Sequence, residues 1–122
     1  MLVVDDEPDA RDLITAVLAG RGAEVVAVDS AAEALGELAR QRFTVLVSDV
    51  GMPKIDGYAL IEKIRQLTAE RGGTIPAVAL TAYAGAQDRI NSLQAGYQSH
   101  LAKPVEPAEL VMMVANLAGR QT

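Results

Sequence analysis

The sequence predicts a doubly wound α/β fold, with five parallel strands and helices on both faces of the sheet. Two observations carry that expectation. Short apolar runs alternate with segments of helical period along the whole chain. The run Phe43–Val47 is apolar almost throughout, as suits a strand buried on both faces. Five β–α units in series imply a parallel sheet, because helices must cross over between parallel strands. Right-handed crossovers then cover both faces.

The first strand is Leu2-Val3-Val4, and Pro8 opens a helix whose apolar face is Ala10, Leu13, Ile14, Val17 and Leu18. Gly20 and Gly22 stop it. Val25–Val28 is the second strand. Ser30 and Glu33 form a capping-box pattern ahead of a helix with Ala31, Ala34, Leu35, Leu38 and Ala39 inward. After the third strand, Pro53 and Gly57 punctuate a loop, and Leu60, Ile61, Ile64 and Leu67 carry the third helix. Gly72-Gly73 breaks the chain before a fourth strand at Ala77–Leu80. The fourth helix is expected to turn Ile90 and Leu93 inward and to end near Gly96. The fifth strand, Gln98–Ala102, is the least apolar and suits a sheet edge. The last helix opens near Pro107 and buries Leu110, Met113, Val114 and Leu117.

One domain over residues 1–122 is the expected organisation, with no repeat or linker. Half of the residues are hydrophobic, and only Phe43, Tyr58, Tyr83 and Tyr97 are aromatic, so aliphatic side chains must build the core. Cysteine is absent, which excludes disulfides and thiolate metal sites. A net charge of -5 without a basic cluster argues against nucleic acid as a partner. No apolar run reaches the length of a membrane span, and the N-terminus lacks signal-peptide features, so a cytoplasmic location is expected.

In doubly wound sheets ligands bind beyond the carboxyl ends of the strands. Asp5-Asp6 closes strand one, Asp49 strand three, Thr81 strand four and Lys103 strand five. The sheet gathers these ends on one rim. Three carboxylates crowded together repel, and a hard divalent cation is the natural compensator. A carboxylate nucleophile, a metal, a lysine and a hydroxyl together suit phosphoryl transfer, in which catalysis is mostly positioning and charge neutralisation.

The segments Val3-Val4-Asp5-Asp6-Glu7-Pro8, Asp49-Val50-Gly51-Met52-Pro53-Lys54-Ile55-Asp56-Gly57, Thr81-Ala82 and Lys103-Pro104 resemble the signature of response-regulator receiver domains of two-component signalling. The likeness covers essentially the whole chain. It implies a flavodoxin-like sheet of order 2-1-3-4-5. It implies that Asp49 accepts a phosphoryl group from the phosphohistidine of a kinase or phosphotransfer protein. Asp6 would bind Mg²⁺ (or Mn²⁺) directly, with Asp5 beside it, Asp49, and the Gly51 backbone carbonyl as further ligands. Thr81 and Ala82 would contact the phosphoryl group, and Lys103 would pair with Asp49. The resemblance also implies a cis Lys103-Pro104 bond and an effector surface on the fourth helix, fifth strand and fifth helix.

Simpler roles exist for each residue alone. Asp5-Asp6 can cap a helix, Thr81 can be a strand-end hydroxyl, and Lys103 a solvated lysine. His100 stands where this family often has Tyr or Phe as a switch, and a half-buried strand residue is the plain alternative. Gly51 without a side chain and a bulky Tyr83 together imply slow self-dephosphorylation. Thr81-Ala82-Tyr83-Ala84 and Lys103-Pro104-Val105-Glu106-Pro107 resemble receivers attached to hybrid sensor kinases, and the abrupt start at Met1-Leu2 suits an excised piece, with a stand-alone regulator as the other context. Competing functions are a docking receiver that needs no phosphate, a flavodoxin-like electron carrier, and a metal-dependent aspartyl phosphatase. The acidic Asp5–Asp9 loop repels a flavin phosphate, and Asp5-Asp6 lacks the D-x-D spacing of the phosphatases.

Overall fold

A computed structural model describes residues 1–52, 56–82 and 86–119. Five strands and five α-helices alternate: β1 (Leu2–Val4), α1 (Pro8–Ala19), β2 (Val26–Val28), α2 (Ala31–Arg40), β3 (Leu46–Asp49), α3 (Gly57–Arg65), β4 (Ala77–Thr81), α4 (Ala86–Ala95), β5 (Ser99–Ala102) and α5 (Pro107–Gly119). All pairings are parallel, and the order is β2-β1-β3-β4-β5. The sheet and its order match the expectation, and polar β5 is an edge strand.

Side chains alternate between two core layers, as the two-residue strand period requires. Leu2, Val4, Leu46, Ala77 and Ala79 face a layer shared with α2 and α3. Val3, Val47, Val78 and Leu80 face the layer under α1 and α5. Burying a strand on both faces leaves no room for alternation of polar residues, so β1 reads as a continuous apolar run and β4 is apolar up to its terminal Thr81.

Local chemistry sets the boundaries. The Ser30 hydroxyl caps α2 by accepting from the Glu33 N–H at 3.2 Å. The reciprocal arm of the box is displaced: Glu33 reaches the Asp29 N–H at 3.5 Å. Asp56 caps α3 by accepting from the Ala59 N–H at 2.8 Å. Gly72, at φ +97°, closes a short 3₁₀ turn at Ala69–Arg71 that periodicity does not reveal.

Several expectations are corrected. Strand β3 starts at Leu46 rather than Phe43 and runs on to Asp49, because Phe43 and Thr44 precede the point where β3 meets β1. On α1, Leu13 is 48% exposed, since only Ile14 and Leu18 point squarely at the sheet. Ala39 of α2 is also exposed. On α4 the apolar face is turned the other way: Ile90 and Leu93 are 45% and 49% exposed, and Ser92 is the buried residue. Ser92 can lie inward because its hydroxyl donates to the Asp88 carbonyl at 2.9 Å. Met113 of α5 is only partly buried, beside fully packed Leu110, Val114 and Leu117.

Candidate functional site

The strand order reverses between β1 and β3, and their carboxyl ends both carry aspartates. Asp5 follows β1 and is completely buried. One of its oxygens, Oδ1, accepts from the Glu7 N–H at 2.9 Å, which shapes the entry to α1. Its backbone carbonyl accepts from Arg11 Nη1, also at 2.9 Å. Asp5 therefore does not cap α1, whose N-cap is Glu7, and the turn engages one of its oxygens only. The other, Oδ2, is buried without a well-directed hydrogen bond and has the Lys103 ammonium at 3.0 Å.

Asp49 ends β3 and is 7% exposed. Its Oδ1 accepts from the Gly51 N–H at 3.1 Å, and its Oδ2 lies 3.3 Å from Lys103 Nζ. Lys103 thus bridges two carboxylates, where sequence alone pointed to Asp49. Burial by itself would lower the pKa of Lys103. The close contact with Asp5 and the charges of Asp49 and Asp5 outweigh it and hold the ammonium above its ordinary value. Asp6 is exposed, and its carboxyl is raised by desolvation first, then by a hydrogen bond to Asp49 and by its charge.

One ligand oxygen from each of Asp5, Asp6 and Asp49 lies within 4.8 Å of the others. A cluster of oxygen donors, one of them buried without a directed hydrogen bond, fits a hard divalent cation such as Mg²⁺. Gly51 is exposed beside it, two residues beyond Asp49.

Thr81 is buried at the end of β4, and its carbonyl accepts from the Lys103 N–H at 2.8 Å. The Val50 N–H donates to the Leu80 carbonyl at 3.0 Å, which fastens the Asp49 loop to β4. Ala82 follows in the exposed loop. The Lys103-Pro104 bond is cis, as the resemblance implied. His100 is half-buried on β5 opposite Ala79, on the sheet face covered by α2 and α3. Pro53, Lys54, Ile55 and Tyr83 lie outside the described residues, and with Tyr83 goes its part in the expected slow self-dephosphorylation.

Four contributing residues carry no motif and were not singled out from sequence for a role. Arg11 holds the acidic turn. Arg65 donates to the carbonyls of Gly96 and Gly73 and to Gln98 Oε1, each at 3.0 Å. Ser48 is buried and donates to the Asp49 carbonyl at 3.1 Å. Tyr97 is 3% exposed and donates its hydroxyl to the Gly57 carbonyl at 2.7 Å.

A family model described as the response regulator receiver domain matches residues 1–115. An uncharacterized 14.6 kDa protein in the sodA1 3' region of Leptolyngbya boryana is 48% identical over 114 residues, covering 93% of this chain and 86% of that protein. The sensor histidine kinase GacS of Pseudomonas protegens is 40% identical over 120 residues, which are 98% of this chain and 13% of the kinase. Among solved structures, the receiver domain of the Pseudomonas aeruginosa sensor histidine kinase PA1611 superposes with a TM-score of 0.87. It is 37% identical, with 97% of this chain and 95% of that one covered, and a magnesium ion is coordinated in its active-site cleft.

Proposed function

The chain belongs to the response-regulator receiver family, and from that premise we propose that it is a phosphorylation switch whose acceptor is Asp49. The observation that carries this reading is the Asp49 carboxylate itself. It sits at the rim with Lys103 at 3.3 Å and with two further carboxylates in metal-ligand range. Family membership sets aside the flavodoxin and phosphatase alternatives.

In the proposed reaction an Asp49 oxygen attacks phosphorus, the P–N bond of a phosphohistidine breaks, and its electron pair returns to the imidazole. Asp5, Asp6, Asp49 and the Gly51 carbonyl would hold the cation. Bound there, Mg²⁺ supplies neutralisation of the phosphoryl oxygens and of the crowded carboxylates. Lys103 then passes from the Asp49 carboxylate to the new phosphoryl group. Thr81 supplies a hydroxyl to it, with Ala82 in the contacting loop. The switch residues are Thr81 and His100, and the output surface is the α4, β5 and α5 face.

The whole 1–122 span is proposed to act as one receiver unit in the cytoplasm. Its partners are a histidine kinase or phosphotransfer domain upstream and a protein effector downstream. Among the described residues no helix is long and apolar enough to cross a membrane. The likeness to GacS supports a hybrid-kinase parent, and the Leptolyngbya boryana relative, 86% of which is covered, supports a stand-alone regulator.

Intact-mass measurement with acetyl phosphate and Mg²⁺ tests the central claim. One phosphoryl adduct is expected, absent in Asp49→Ala. An equal yield of adduct in that variant would falsify the assignment.

A further inference from the structure

We infer that Tyr97 is a positioning residue, its hydroxyl tying the Asp49 loop to the turn between α4 and β5; this rests on the reading of Asp49 as the acceptor. Tyr97 follows Gly96, whose φ of +129° ends α4, and its own N–H donates to the Ser92 carbonyl at 3.0 Å. Its ring belongs to the core layer with Ala77, Ala79, Leu60 and Ile61. An aliphatic side chain would fill such a space without burying a polar atom. A buried hydroxyl costs free energy unless it is bonded. Here it is bonded, 40 residues away in sequence, to the Gly57 carbonyl at 2.7 Å.

Gly57 is the first residue of α3 and is packed directly on the acceptor loop. Its N–H donates to the Val50 carbonyl at 3.1 Å. A Cβ at Gly57 would sit 2.4 Å from the Asp49 carbonyl oxygen and 2.6 Å from Val50 Cα. No slack separates the two backbones. The contact therefore runs from Tyr97 through Gly57 to Asp49–Val50, one residue from the Gly51 N–H that bonds the acceptor carboxylate. Ser48 adds a second buried hydroxyl under the same strand end. Burial pushes the phenol well above its usual pKa, so the Tyr97 hydroxyl keeps the proton it donates to Gly57.

The tie makes the two ends interdependent. A displacement of the α4–β5 turn is felt at the acceptor loop, and ordering of the loop by a cation is felt at the turn, by thermodynamic reciprocity. Of the rim residues, Thr81 and Lys103 approach from β4 and β5 and take no part in this tie, which reaches the loop through Gly57.

The test uses the full chain, Mg²⁺ and amide NMR, with Tyr97→Phe keeping the ring and removing only the hydroxyl. In the unmutated protein, saturation with Mg²⁺ shifts the amides of Gly51 and Gly57 and also those of Gly96 and Gln98. In Tyr97→Phe the Gly96 and Gln98 response collapses, and Mg²⁺ affinity falls by about 2- to 10-fold, the range for loss of one hydrogen bond. Ile64→Val, a core change in the same helix, serves as the stability control and leaves both quantities unchanged. Retention of the distant response in Tyr97→Phe, or equal loss in Ile64→Val, overturns the inference. A second readout needs no mutation at the site. In the chain labelled with 3-fluorotyrosine, and assigned through Tyr58→Phe and Tyr83→Phe, the Tyr97 resonance moves as Mg²⁺ binds. A resonance that stays fixed also overturns it. Neither readout requires phosphate, so a failure of the tie is distinct from a failure of Asp49 to form an adduct.

Discussion

Replacing Lys103 with Gln removes the ammonium that bridges Asp5 at 3.0 Å and Asp49 at 3.3 Å. At an effective dielectric constant of about 20, each contact represents roughly 5 kcal/mol of bare attraction. Much of that is offset by desolvation of the ammonium. Breaking a buried ion pair by removing one partner costs about 3–5 kcal/mol, because a buried charge is left behind. The Asp5 side chain is wholly buried, whereas Lys103 is 19% exposed, so water relieves part of the loss. The expected cost in metal-free buffer is therefore about 2–4 kcal/mol. For a chain of this size that lowers Tm by roughly 8–16 °C. Saturating Mg²⁺ recovers a large part of it, since the cation takes over neutralisation of the same carboxylates. Urea unfolding of both proteins in chelator and in Mg²⁺ measures all four values. The pH dependence has a definite sign. The Lys103 pKa is raised on folding, so its contribution is full below about pH 10.4, the unfolded value, and is lost as pH rises through the higher folded value. A loss of less than about 1 kcal/mol in Lys103→Gln without metal, the size of an exposed ion pair, would refute the reasoning.

Three further outcomes are expected. Gly57→Ala places a methyl against the Asp49 and Val50 backbone, so it destabilises by about 1–3 kcal/mol and weakens Mg²⁺ binding; urea unfolding and a metal titration check both. Arg65→Ala removes three hydrogen bonds and frees Gln98, which accepts from the Ala77 N–H at 2.7 Å, at a cost of about 2–3 kcal/mol measured by thermal unfolding. His100→Ala is expected to weaken the beryllofluoride-induced amide shifts of α4 and β5 while leaving adduct formation at Asp49; unchanged shifts would remove His100 from the switch.

Strand β1 was legible to the residue because an apolar run ended by Asp5-Asp6 has only one reading as a buried parallel strand. Strand β3 was displaced because Phe43–Val47 is more apolar than the strand itself, Leu46–Asp49. Where pairing starts is decided by the neighbouring strand, here Leu2 opposite Leu46. The orientation of α4 was illegible for a related reason. Periodicity shows that a stripe exists, while a buried serine can satisfy its own hydroxyl within the helix and so displace Ile90 and Leu93 outward.

The rim followed from sequence alone. Parallel strands share a direction, so the residues that close them, Asp5, Asp6, Asp49, Thr81 and Lys103, must meet at one edge. Tertiary structure decided how the charges are divided among them. It buried Asp5 more deeply than Asp49, left Asp6 exposed, and set Lys103 between two aspartates. It also joined Tyr97 to Gly57 and Arg65 to Gly96 and Gln98. Hydrogen bonds across 31, 33 or 40 residues leave no periodicity in the chain, because they depend on where whole elements come to rest.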